Sequence, residues 1–178
     1  MRPTSILDNA LPSSLVLVLV GISSFAPVSH AAASEDLTCI FTGVLNFSPP
    51  LTLANTRSVV SIVGSLTDCT SPNGRYPHLV SGTYEGHGAA LSTGAISCSL
   101  QSVSEIGTIA WDNGQSSSVE SILNSDTASS GTLQSTGKVV DGVLQGDSFT
   151  VLPTAIPNAD CDTVGLMMLT LTGPVHVT

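Results

Sequence analysis

Two runs decide the fold class: Thr38-Cys39-Ile40-Phe41-Thr42-Gly43-Val44-Leu45-Asn46-Phe47 and, after a breaker segment, Ser58-Val59-Val60-Ser61-Ile62-Val63-Gly64-Ser65-Leu66-Thr67. In the first, Cys39, Phe41, Leu45 and Phe47 fall on one face and Thr42 and Asn46 on the other. Period-two alternation of this kind marks a strand with one buried face, and its Val and Thr suit a pleated surface. The two runs flank a centre near Ala54-Asn55, so residues whose numbers sum to about 108 face each other in an antiparallel pair. Cys39 and Cys69 meet that condition.

The same alternation continues outward. Ile96, Cys98 and Leu100 alternate with Ser97, Ser99 and Gln101, and Met167, Leu169 and Leu171 share a face with Val175 and Val177. Turn chemistry separates the runs at Ser48-Pro49-Pro50, Pro72-Asn73-Gly74, Asp112-Asn113-Gly114, Ser129-Ser130-Gly131 and Asp141-Gly142. The expected strands are 38–47, 58–69, 78–87, 95–103, 105–111, 116–123, 132–140, 147–152 and 164–177. After Ala33 no apolar stripe of helical period has useful length. The expectation is an all-β, single-domain antiparallel β-sandwich of eight or nine strands, with a closed β-barrel as the alternative.

All four cysteines follow residue 34, at 39, 69, 98 and 161. With Cys39 beside Cys69, the remaining pair is Cys98 with Cys161. Loops of these lengths are worth about 3.6 and 4.3 kcal/mol in the chain-entropy model. Tight CxxC-type spacing is missing, so a zinc site is not expected.

The N-terminal stretch reads as an export signal. Arg2 supplies a short positive region, Leu15 to Val20 the densest apolar core, and Ala31-Ala32-Ala33 the small residues of a cleavage site. Cleavage is expected after Ala33, with Ala31 as second choice, leaving one β domain over 34–178. Pro12, Ser13, Ser14, Ser23, Ser24 and Pro27 crowd the apolar core and leave it shorter than the ~20 residues of a span. No stable membrane insertion is expected once the signal is gone, and the product is read as extracellular or envelope-associated.

Composition narrows the function classes. The 178 residues carry 13 acidic and 4 basic side chains, a net charge of −9. Removing Arg2 and Asp8 with the signal leaves 12 against 3, still −9. No basic footprint for nucleic acid remains. Ser and Thr, 27 and 19, coat the chain, while aromatics make up only 4%. There are too few rings for a stacking platform.

Three residues are candidate ligand contacts. Glu85 and His87 share one side of an expected strand, where a carboxylate and an imidazole two apart can move a proton. The competing reading is a solvated strand face. Trp111, the lone tryptophan, is either a binding anchor or a plug at the end of a β core. Ser135-Thr136-Gly137-Lys138 has the S-x-x-K spacing of some acyl-transfer enzymes, but on a strand positions three apart point to opposite faces. Asp160 and Asp162 beside Cys161, and Asp141 and Asp147 around the 142–146 loop, lack the regular spacing of a calcium loop. No catalytic residue, metal or cofactor is assigned.

Thr38-Cys39 with Gly43 and Pro49-Pro50-Leu51, the stretch Gly107 to Gly114 with Trp111, and Val143 to Asp147 with Cys161 together resemble secreted, Ser/Thr/Gly-rich β proteins of actinobacteria. The resemblance implies structural cysteines, turns and a core tryptophan; that group has no established function. In composition the chain is also similar to neocarzinostatin-like chromoprotein carriers, whose short disulfide loops it does not reproduce.

The sequence therefore reads as a secreted, non-enzymatic protein that contacts an extracellular partner. The alternative is a carrier of a small apolar ligand, and the third reading is an enzyme with a dispersed site. A deep apolar pocket near Trp111 would favour the carrier. Convergence of Glu85 and His87 with a third polar group would favour the enzyme, and a flat apolar patch the interaction protein.

Overall fold

A computed structural model describes residues 35–94, 98–126 and 132–178. The expected export signal and the Ser129-Ser130-Gly131 turn lie outside them, as do Ile96 and Ser97. The described residues form one compact unit.

The described residues form nine strands: β1 (Leu37–Leu51), β2 (Arg57–Thr70), β3 (Gly82–Leu91), β4 (Ser102–Trp111), β5 (Ser116–Asp126), β6 (Thr132–Gly142), β7 (Ser148–Val151), β8 (Thr154–Pro157) and β9 (Leu166–Val177). A single helical turn, α1 (Cys161–Val164), precedes β9. Each strand from β1 to β7 pairs antiparallel with its successor except that β7 passes to β9, which also carries β8. β1 pairs with both β2 and β9, so the sheet closes on itself as an eight-stranded barrel. Of the two expected architectures the barrel is therefore the one adopted. A sandwich would need two separate sheets, and here one ladder runs round the whole molecule.

Alternation sorts the side chains into inside and outside. Leu37, Cys39, Leu45 and Phe47 of β1, Val60, Ile62 and Leu66 of β2, and Leu169, Leu171, Val175 and Val177 of β9 are buried. The β1–β2 ladder runs in a constant register from Ile40↔Thr67 to Ser48↔Val59, then shifts before Thr38↔Thr70. The extra residue is Asp68, at φ 53. Without that bulge Cys39 would face Asp68, and Cys69 would point outward. One inserted residue turns Cys69 into the core, where it bonds Cys39 with a Cα–Cα distance of 4.1 Å.

Several expected element limits change. Of the stretch expected as a strand over 95–103, the described residues 98–101 lie in no strand; Cys98 sits at φ 62, and β4 starts at Ser102. The tie to Cys161 takes Cys98 out of the sheet, although its neighbours alternate. β3 begins at Gly82 instead of 78, because Pro72-Asn73-Gly74 and Pro77 hold a long connection whose Leu79 folds into the core. Ser48-Pro49-Pro50 does not turn the chain: β1 continues to Leu51, which pairs with Leu166. Met167 is exposed, and Leu166 takes the buried place. The Asn158 side chain accepts hydrogen bonds from the Met167 and Met168 amides, at 3.0 and 3.3 Å, and this bends the chain out of alternation.

The two ends of the barrel differ. At one lie the start of β1, the end of β9, the 112–115 and 143–147 turns and the longer 71–81 connection, with Trp111, Leu79 and Leu144 buried there. At the other lie the 52–56 turn and the connections into β4 and β9. Cys98 precedes β4 and Cys161 precedes β9, strands on opposite sides of the ring, so the second disulfide spans that mouth.

Candidate functional site inside the barrel

The inward positions of β4 are Val103, Glu105, Gly107, Ile109 and Trp111, set by the parity of its two buried ends. Glu105 is thus a carboxyl facing the interior of an apolar barrel. Its direct neighbour across β5 is Ser121, whose hydroxyl donates to Glu105 Oε1 at 2.5 Å. From β3, Tyr84 is only 6% exposed, and its ring lies where side chains at Gly86 and Gly107 would otherwise stand. Phe149 of β7 lies over Gly137 in the same way, and Phe41 of β1 over Gly43 and Gly64. Phe41 and Tyr84 meet edge to face with centroids 6.0 Å apart. Inward glycines are what let three aromatic rings lie flat against the wall of so narrow a barrel.

Between these rings a cavity of about 80 Å³ remains. Leu45, Ile62, Ile109, Val119, Val139 and Leu171 are among its apolar lining, while Tyr84, Glu105 and Ser135 bring polar atoms to it. Its volume is well below the ~150 Å³ of a cavity that admits benzene and the ~300 Å³ at which drug-sized sites begin. Burial raises the pKa of Glu105 above the ordinary carboxylate range, opposed in part by the Ser121 hydrogen bond and by the Tyr84 hydroxyl beside it. Burial, and then the nearby Glu105 charge, hold the Tyr84 hydroxyl strongly against ionisation. That hydroxyl is buried and makes no hydrogen bond of good geometry. An unpaired buried hydroxyl costs about 1–3 kcal/mol, so it is the poorly satisfied group of this wall.

Trp111 closes one end of the cavity, 4% exposed. Its Nε1 donates to Ser117 Oγ at 2.9 Å, and Ser117 passes the chain on to the Val143 carbonyl at 2.6 Å. Leu144 completes this floor from a left-handed backbone at φ 67. That conformation costs a leucine roughly 1–2 kcal/mol, and burying the side chain returns about 1.5–3 kcal/mol. Trp111 is therefore both plug and cavity lining.

Glu85 and His87 are exposed on the outer face of β3, opposite Thr108 and Ile106 of β4. The pair stays together but points away from the cavity, on the other side of the sheet from Trp111. Ser135 is buried inside and Lys138 exposed outside, as strand geometry requires. Asp147 faces Asp36 and not Asp141. At this end of the barrel Arg75 Nη1 holds both Asp36 carboxylate oxygens, at 3.0 and 2.9 Å, and Asn73 also donates to Asp36. Burial and the neighbouring Asp36 raise the Asp147 pKa.

The fold and the site together define a closed antiparallel β-barrel, twice disulfide-bonded, with a small apolar interior carrying one acid. Compared with known proteins, the chain matches no family model, no curated protein and no solved structure. Two disulfides are the chemistry of a non-cytosolic compartment. No helix among the described residues is long and apolar enough to cross a membrane.

Proposed function

We propose that this chain is an exported binding protein that holds a small, largely apolar molecule inside its barrel. The observation that carries this reading is the cavity of about 80 Å³ bounded by Trp111, Phe149 and Tyr84. Barrel interiors are common ligand sites, with apolar walls and a few polar groups that orient the guest. The volume limits the guest to a few non-hydrogen atoms.

The outer face of β2–β6 carries no continuous apolar band. Val59, Val63, Ile106 and Ile122 are exposed there, but Ser61, Glu85, His87, Thr108, Glu120 and Lys138 separate them along and across the strands. Charges at mid-strand also suit water better than the apolar band of a lipid-embedded barrel. The expected signal and the oxidised cysteines support export, and an acidic charge suits such a protein to water.

Methyl NMR titration of the disulfide-bonded protein with small organic molecules tests the reading. Shifts confined to Ile109, Val119, Val139 and Leu171 are the expected result, and Ile109→Phe, which fills the cavity, abolishes them. Shifts only at outer-face residues, or shifts that persist in Ile109→Phe, would contradict it.

A further inference from the structure

We infer that the molecule this barrel takes is a small aliphatic amine, bound as its ammonium ion with the positive head on Glu105 and the Tyr84 hydroxyl. This rests on the reading of the barrel as a binding protein and names its ligand class. Three observations converge on it. Glu105 is the acid of the cavity wall, and no Lys, Arg or His lines the cavity among the described residues. An anionic guest would meet a carboxyl and no cation. A neutral hydrocarbon would leave the Tyr84 hydroxyl as unpaired as it is now.

An ammonium satisfies both groups. It brings three N–H donors and no acceptor. One reaches the Glu105 carboxylate, whose Oε1 keeps the Ser121 hydrogen bond, and another reaches the Tyr84 oxygen. The rings of Phe41, Tyr84 and Phe149 stand around this part of the lumen and present faces that attract a cation. The guest's short alkyl tail occupies the remaining apolar space toward Ile109 and Val139. A chain of net charge −9 also draws cations from solution. Where Glu105 holds a proton in the empty barrel, that proton leaves to solvent as the ammonium enters, so charge balances.

The groups that face Glu105 are Tyr84 from β3, Ser121 from β5, Gly137 and Ser135 from β6, and Phe149 from β7. Tyr84 is the one other titratable group in that set. Amine affinity therefore rises with pH as Glu105 ionises and falls as Glu105 is protonated.

Isothermal titration calorimetry and methyl NMR with n-propylamine, propan-1-ol and propionate, three probes of matched size, test this on the full disulfide-bonded protein. Propylamine is expected to bind at least about tenfold more tightly than the other two. Glu105→Gln is expected to weaken it roughly tenfold to a hundredfold, Tyr84→Phe to weaken it less, and Glu85→Gln to leave it unchanged. If Glu105→Gln does not fold, Tyr84→Phe and the pH dependence of wild-type affinity carry the test. Propan-1-ol binding in the lumen as tightly as propylamine, or propylamine affinity indifferent to Glu105→Gln, Tyr84→Phe and pH, would overturn the amine and leave the apolar site standing. Absence of any lumen shift with all three probes would overturn both.

Discussion

Glu105 shows how one residue changes meaning with its neighbours. In Ser102-Val103-Ser104-Glu105-Ile106, a glutamate next to an apolar Ile looks like the solvated start of a strand. Val103 and Trp111, both buried and of the same parity, force Glu105 inside instead. Because its folded pKa is raised, folding favours the protonated form. Its favourable contribution is complete below the ordinary glutamate range and is lost as pH rises through the folded value. Glu105→Gln should therefore lose less stability than the wild type between mildly acid and neutral pH, read as urea midpoints across that window. Identical pH slopes in the two proteins would refute this. Ser117 is a second residue of consequence. Ser117→Ala strands the Trp111 indole N–H and should cost about 1–3 kcal/mol in chemical denaturation, against a change within ~0.5 kcal/mol for an exposed serine such as Ser61.

At the scale of elements, regular alternation was easily read and interrupted alternation was not. The hairpin centre brings Cys39 and Cys69 to within one residue of facing each other, and the inward sets of β1 and most of β9 follow from period two. The bulge at Asp68, the loop around Cys98 and the bend at Met167 do not, because each is fixed by a distant partner: Cys39, Cys161 and the Asn158 side chain. β7 falls within the strand expected over 147–152, whereas β8, beyond Leu152-Pro153, was not read; both pieces share β9. Those pieces also form the thinnest part of the wall, since β7 meets β6 only over Ser135–Lys138 and β9 only over Val175–Val177. Native-state hydrogen exchange should find the β7 amides opening at lower free energy than those of the long β1–β9 ladder. Equal protection in both would contradict the idea of a weak seam. Replacing Cys98 and Cys161 together should lower stability by up to about 4 kcal/mol, since the mouth they span then loses its tie.

At the scale of the molecule, closing the sheet removes the edges that a sandwich would have to protect. It also gives an acidic, Ser/Thr-coated chain an interior that solvent-facing residues do not disclose. The outward pair Glu85 and His87 was visible in the sequence because polar residues at strand spacing stand out. The inward group of Tyr84, Glu105, Ser121 and Ser135 was not, because placing it requires the inward parity and the cross-strand register of four neighbouring strands at once. Glycines beneath the rings were the signal in the sequence: Gly86, Gly107 and Gly137 mark where wall gives way to aromatic side chains. The central claim is that the barrel holds usable space behind that wall. Diffraction from crystals of the protein pressurised with xenon tests it most directly. The account predicts a xenon atom inside the barrel among Ile109, Val139 and Leu171, within reach of Phe149. Electron density showing those side chains packed together, with xenon only on the outer surface, would contradict it.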